Sequence, residues 1–205
     1  MPYVLTVDRR ASRQQSGNLK MAEHRDALEA EHPKPLLSWQ VSAGDELQGL
    51  FADAGPAVAA ALQLAESGDW HVGLGVGAVD TPLPQTVNEA TGSAFVSARE
   101  AVEAAKTATA AAAVRGADGG VRSDQSDALM ALLASIRRRR TPTSRQAAAY
   151  ADRGLTQQRI ADVLEIKQSS VSRRLSTALW HEERAARDVL IQLLREADEV
   201  HLAGS

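Results

Sequence analysis

The chain has 205 residues, 44% of them hydrophobic and 24% charged, with a formal net charge of −3; this is the balance of a folded chain long enough for one mid-sized unit and a small one. It contains no cysteine, which excludes disulfides, thiolate metal sites and cysteine nucleophiles and fits a reducing, cytoplasmic compartment. The opening MPYVLTVDRRASR lacks the basic start and apolar run of a signal peptide, and no stretch approaches the roughly 18 apolar residues of a membrane span.

The first predicted element is a strand over Tyr3–Asp8, followed by a helix from Asn18, as cap, to Glu31, which the His-Pro-Lys-Pro run at 32–35 stops. Leu36–Val41 and Leu47–Ala52 flank SAGDE and predict a β-hairpin with its turn at Ala43–Asp45. A helix over Pro56–Ser67 comes next, with proline in its first turn. Trp70–Val79 has strand periodicity, with Val72, Leu74 and Val76 on one face and Gly73, Gly75 and Gly77 on the other. A dinucleotide fingerprint would follow the strand and open a helix; these glycines lie within it, where they admit a helix, a backbone or a ligand at close range. Thr81–Thr91 reads as a loop and Ser93–Lys106 as a helix, while Thr107–Arg115 either continues that helix or forms a weak strand. A turn at Asp118–Gly120 sets the expected domain boundary, giving units 1–120 and 121–205, with only helices beyond it.

Charge is divided between the two units. Residues 1–120 carry 9 basic and 15 acidic side chains, whereas residues 136–181 carry 10 basic and 3 acidic. A basic segment in an acidic protein suits phosphate contacts. Helices are expected at Ser123–Arg139, Ser144–Arg153, Thr156–Leu164 and from Gln168 onward. In LTQQRIADVLEIKQSSVSRRL (Leu155–Leu175), Thr156 caps a helix whose inner face is Ile160 and Leu164, and Ala161 stands where two helices cross. Ile166 plugs the turn, and Val171 and Leu175 form the inner face of the second helix. Gln168, Ser169, Ser170, Ser172 and Arg173 then project outward to base edges, and Arg159, Lys167 and Arg174 toward phosphates, with Thr156 and Gln157 at the entrance. Glu165 takes the turn position usually given to glycine, and Lys167 that of the serine cap. The alternative is a pair of helices used only for packing or for holding a protein partner.

Arg137–Arg140 either clamps phosphates or is a solvated helix end before Pro142. The last helix is expected to run from Leu175 to Val200, with Leu179, Glu183, Ala186, Leu190, Leu193, Ala197 and Val200 on one seam. That seam predicts a homodimer, or else packs back on its own domain.

In the first unit, Asp8 ends a strand and Asp45 follows Gly44 in the hairpin turn, so the carboxylates meet at one sheet edge if the strands are neighbours. They are either a Mg²⁺ and triphosphate site or a strand-end cap and a turn aspartate. The order DRRASR, SAGDELQGLF, HVGLGVGAV and GSAFVSAREAVEAAK, followed by the helical segment, resembles the SatD family of bacterial proteins over nearly the whole chain. The N-terminal part is also similar to the palm-like domain of class III nucleotide cyclases. That resemblance implies a ferredoxin-like βαββαβ sheet, Asp8 and Asp45 as metal-binding aspartates, a nucleotide ligand near Asp8, Gly44, Asp45 and Arg99, and Mg²⁺ as its companion. Val96 and Glu100 stand where the cyclases have the asparagine and arginine that stabilise the transition state, which argues against catalysis. The expectation is an α+β protein: a non-catalytic, cyclase-like domain joined to a helix-turn-helix that binds double-stranded DNA as a homodimer. The alternatives are a Mg²⁺-dependent nucleotide-processing enzyme tethered to DNA and a scaffold without ligand.

Overall fold

Tyr3, Leu5 and Val7 alternate with Val4 and Thr6 along β1 (Tyr3–Arg9), and all five are buried, so this strand is covered on both faces. The computed structural model describes residues 2–10, 17–31, 35–42, 44–116 and 121–203. Strand β1 lies at the centre of a five-stranded mixed sheet, antiparallel to both β3 (Glu46–Phe51) and β4 (Trp70–Val76). Strand β2 (Leu37–Val41) pairs antiparallel with β3, and β5 (Ala112–Gly116) runs parallel to β4, giving the order β2-β3-β1-β4-β5. With eight α-helices among the described residues, the architecture is α+β.

The expected hairpin joins β2 to β3. Gly44 has φ 61, and the Ser42 amide donates to the Glu46 carbonyl at 2.9 Å; Ala43 lies outside the described residues. Helix α1 (Gly17–Glu31) already includes Gly17, so Asn18 falls in its first turn and not at the cap. Most of the run at 32–35 lies outside the described residues. Helix α2 (Ala54–Ser67) starts two residues before Pro56, because the Asp53 carboxylate accepts from the Gly55 amide at 3.1 Å and caps it. The segment after α3 (Ser93–Thr107) resolves as strand β5.

Helix α3 covers one face of the sheet, where the glycines of β4 permit the close approach. A Cβ on Gly75 would run into the Ala94 carbonyl and the Ala98 amide of α3, and one on Gly73 into Ala98 and Val102. The opposite face packs against α2, α4 (Val121–Arg138) and α8 (Trp180–Ala203): Met130, Leu133, Ala134, Leu190 and Leu194 join Leu5, Val7 and Leu74 in one core. The core therefore does not divide at residue 120. Charge changes sign there, whereas the apolar stripe of α4 continues the packing of the sheet. A separate small core holds α5 (Pro142–Asp152), α6 (Gln157–Leu164) and α7 (Gln168–Thr177), with Trp180 at its border.

The expected continuous helix after Leu175 is broken. Ala178 caps α7 and Leu179 takes φ 51, which turns α8 back onto α4 and α2. The predicted seam consequently packs on its own chain: Glu183 and Leu190 are fully buried, Ala186 packs on the main core, and Leu179 is exposed. Leu194, not Leu193, is the next buried residue, because the helix follows its natural period and not a strict heptad. The side chains of Ala197 and Val200 lie outside the described residues.

Candidate nucleic-acid interface

Thr156 opens α6 by accepting from the Arg159 amide at 3.3 Å through its Oγ1. The helix ends at Glu165, which adopts the left-handed conformation (φ 53, ψ 42), and the Ile166 amide then returns to the Ala161 carbonyl at 3.0 Å. After this tight turn α7 starts from Lys167, whose extended backbone serves as the cap without a side-chain bond. Ile160, Ala161, Val171 and Leu175 are buried together, and Leu164 and Ile166 pack at their edge. The small side chain of Ala161 suits the short distance between helices.

With Val171, Leu175 and Ala178 inward, the other side of α7 presents Gln168, Ser169, Ser172, Arg173 and Ser176 to solvent. Ser170 is half-buried, against the expectation that it projects outward, because it lies on the flank next to Val171; Arg174 occupies the corresponding flank one turn later. Gln168 donates to Gln157 at 2.6 Å, which ties the start of α7 to the start of α6. Arg159 is 72% exposed and only 4.0 Å from Asp162, so its guanidinium stays available.

Arg137–Arg140, at the end of α4, match neither sequence expectation in full. Arg137 and Arg140 have side-chain exposures of 5% and 2% and pair with Glu183, which is fully buried, at 3.1 and 3.4 Å. Arg138 donates to the Thr109 carbonyl at 2.7 Å, and only Arg139 is exposed. Asp152 of α5 joins by accepting from Trp180 Nε1 at 3.0 Å and lying 3.5 Å from Arg137. Glu66 of α2 faces Arg137, Arg140 and Arg145 at 3.8, 3.7 and 3.3 Å. This network joins the sheet body to the small helical core. Glu183 was its sequence signal: a charge at an apolar seam position requires buried partners.

At the C-terminal end of β1, Asp8 stands opposite Glu46 in the β1–β3 register, and the Arg9 amide donates to the Asp45 carbonyl at 3.3 Å. The backbone of Asp45 thus lies beside the end of β1 that carries Asp8. Burial pushes the Asp8 carboxyl above its ordinary value, Asp45 adds to this, and Lys106, 3.7 Å away, opposes it. Arg99 is taken up by the buried Glu46 instead of facing Asp8 and Asp45. Burial likewise raises the Glu46 carboxyl against the pull of Arg99. Among the described residues no group of three or more His, Asp or Glu side chains is placed to hold a metal ion. Asp8 and Asp45 are the two carboxylates that would hold the Mg²⁺ the cyclase resemblance implies, and Lys106, 3.7 Å from Asp8, competes for the same charge.

No family model, curated protein or solved structure matches the chain. Among the described residues no helix is long and apolar enough to cross a membrane.

Proposed function

We propose that this protein is a sequence-specific DNA-binding transcriptional regulator whose α6–α7 pair acts as a helix-turn-helix. The observation that carries this reading is α7 itself: its inner face is locked into the small core while Gln168, Ser169, Ser172 and Arg173 stand exposed at its first turns. In this motif those positions enter the major groove, where glutamine favours adenine and arginine favours guanine. Arg159, Lys167 and Arg174 flank them as phosphate contacts, and the 10 basic against 3 acidic residues of 136–181 favour DNA over an acidic partner.

The sheet belongs to the same proposal as a ferredoxin-like, non-catalytic domain. Its order β2-β3-β1-β4, with β1 antiparallel to both neighbours, agrees with a βαββαβ unit to which α3 and β5 are added. A homodimer supplies the two recognition helices of a palindromic operator. Since the α8 seam is occupied within the chain, the dimer uses another face. A cytoplasmic location follows from the regulator role and agrees with the absence of cysteine.

Fluorescence anisotropy with a selected operator and a scrambled duplex tests the contact roles. Arg173→Ala is expected to cost about 1–3 kcal/mol on the operator and little on scrambled DNA, while Arg174→Ala weakens both and lowers the salt slope by about one. Equal losses on both duplexes for both variants refute the assignment.

A further inference from the structure

A cavity of about 640 Å³ opens between α2 and α5, where the sheet body meets the small helical core. Its charged walls are Arg137, Arg140, Arg145 and Arg153 against Glu66 and Asp152. Glu183 lies behind Arg137 and Arg140 and partners them from the far side, so cations remain in excess even when it is counted. The volume falls within the range of small-molecule sites.

The arginines are held firmly on one side and loosely on the other. Arg137 donates Nε to Glu183 at 3.1 Å, and Arg140 donates Nε to the Ala178 carbonyl at 3.0 Å, which fixes both planes. Toward the cavity, Nη1 of Arg137 and Nη1 of Arg140 stand 3.8 and 3.7 Å from Glu66, beyond hydrogen-bond length. Arg145 Nε and Glu66 Oε1 are buried 3.3 Å apart, and neither has a hydrogen-bond partner among the described residues. Burial and the neighbouring Arg137 charge pull Arg140 below its ordinary value, and burial pushes the Glu66 carboxyl above its own. Glu66, spread among three guanidiniums, leaves that side of the network under-satisfied, and Asp152 adds only a long bond to Arg137 Nη2 at 3.5 Å.

We propose that this cavity is a binding site for a small phosphorylated molecule whose phosphoryl group takes Arg137 Nη1, Arg140 Nη1 and Arg145 in competition with Glu66. Three guanidiniums provide more donors than one carboxylate accepts and match the terminal oxygens of a phosphoryl group. Glu66 is on α2 and Arg145 on α5, so an anion that separates them acts on the joint between the sheet and the helices that carry α7.

Calorimetric titration of the whole protein with pyrophosphate, against sodium chloride at matched ionic strength, tests the site. Saturable binding is expected at one site per chain. Arg145→Gln, at a side chain that is 43% exposed and therefore tolerant of change, is expected to weaken it about tenfold or more, as loss of a charge-assisted donor does. Glu66→Gln is expected to strengthen it, because the competing charge is gone; a purely structural role for Glu66 predicts no such gain. The double variant Arg173→Ala, Arg174→Ala separates this site from the DNA-binding face and leaves pyrophosphate affinity unchanged. Heat that matches chloride alone, equal affinity in R145Q, weaker binding in E66Q, or loss in the double variant overturns the proposal, and none of these outcomes refutes DNA recognition by α7.

Discussion

Removing the Glu183 carboxylate tests whether the buried arginines depend on it. Glu183 has no exposed side-chain surface, and it lies 3.1 Å from Arg137 and 3.4 Å from Arg140, whose side chains are 5% and 2% exposed. In Glu183→Ala those guanidiniums keep only Asp152 at 3.5 Å and Glu66 at 3.8 and 3.7 Å, together with the Ala178 carbonyl at 3.0 Å. Breaking a buried pair by deleting one partner costs about 3–5 kcal/mol, and these remaining contacts place the loss at the lower end, about 3 kcal/mol. Against a total stability of about 5–15 kcal/mol this is a large fraction. For a chain of this length it lowers Tm by roughly 6–12 °C. Urea denaturation followed by circular dichroism measures it as a lower midpoint with unchanged slope. Because the pair is buried, the loss persists at about 1 M salt, where exposed pairs are screened. A loss below about 1 kcal/mol, the value of a surface salt bridge, refutes the reasoning.

Further predictions concern the sheet, the turn and the titration of Glu66. Gly75→Ala drives a Cβ into the backbone of α3 and is expected to destabilise by about 1–3 kcal/mol or more, measured by thermal unfolding. Glu165→Gly relieves the left-handed backbone at the α6–α7 turn, and a gain of up to about 1 kcal/mol is expected in the same assay. Burial raises the Glu66 carboxyl above its unfolded value, with Arg137, Arg140 and Arg145 opposing. The native state therefore binds this proton first, so its contribution to stability rises as pH falls from neutrality through the raised native value and levels off below the ordinary carboxylate range. Denaturation across mildly acidic pH is expected to show a steeper slope in the wild type than in Glu66→Gln, where the raised Asp8 and Glu46 carboxyls still contribute.

How far the sequence specifies the molecule varies with the range of the interactions. Alternation in YVLTVDR and WHVGLGV, and the turn residues of SAGDE, are local signals, and they place β1, β4 and the β2–β3 hairpin. The glycine face of β4 foretold a close neighbour, and α3 is that neighbour. The spans and inner residues of α6 and α7 were legible, because they lie within one or two turns of each other, and Glu165 stood out at the turn position usually given to glycine. What stayed hidden depends on distant partners. The basic run Arg137–Arg140 suggests a solvated or phosphate-facing end until Glu66, Asp152 and Glu183 arrive from three other helices. The break at Leu179 has no glycine or proline to announce it, yet it decides that α8 returns onto α4 and α2 and that its apolar seam is consumed within the chain. Likewise Arg99, which the sequence suggested as a ligand residue, is claimed by Glu46.

Selection of bound fragments from randomised double-stranded DNA, followed by anisotropy of the winner against scrambled duplex at physiological salt, tests the central claim most directly. A palindromic site is expected, bound at least about a thousandfold more tightly than scrambled DNA, with half-sites about 10 base pairs apart, centre to centre, or a multiple of that spacing. Absence of any enriched sequence, with equal affinity for all duplexes, would contradict it.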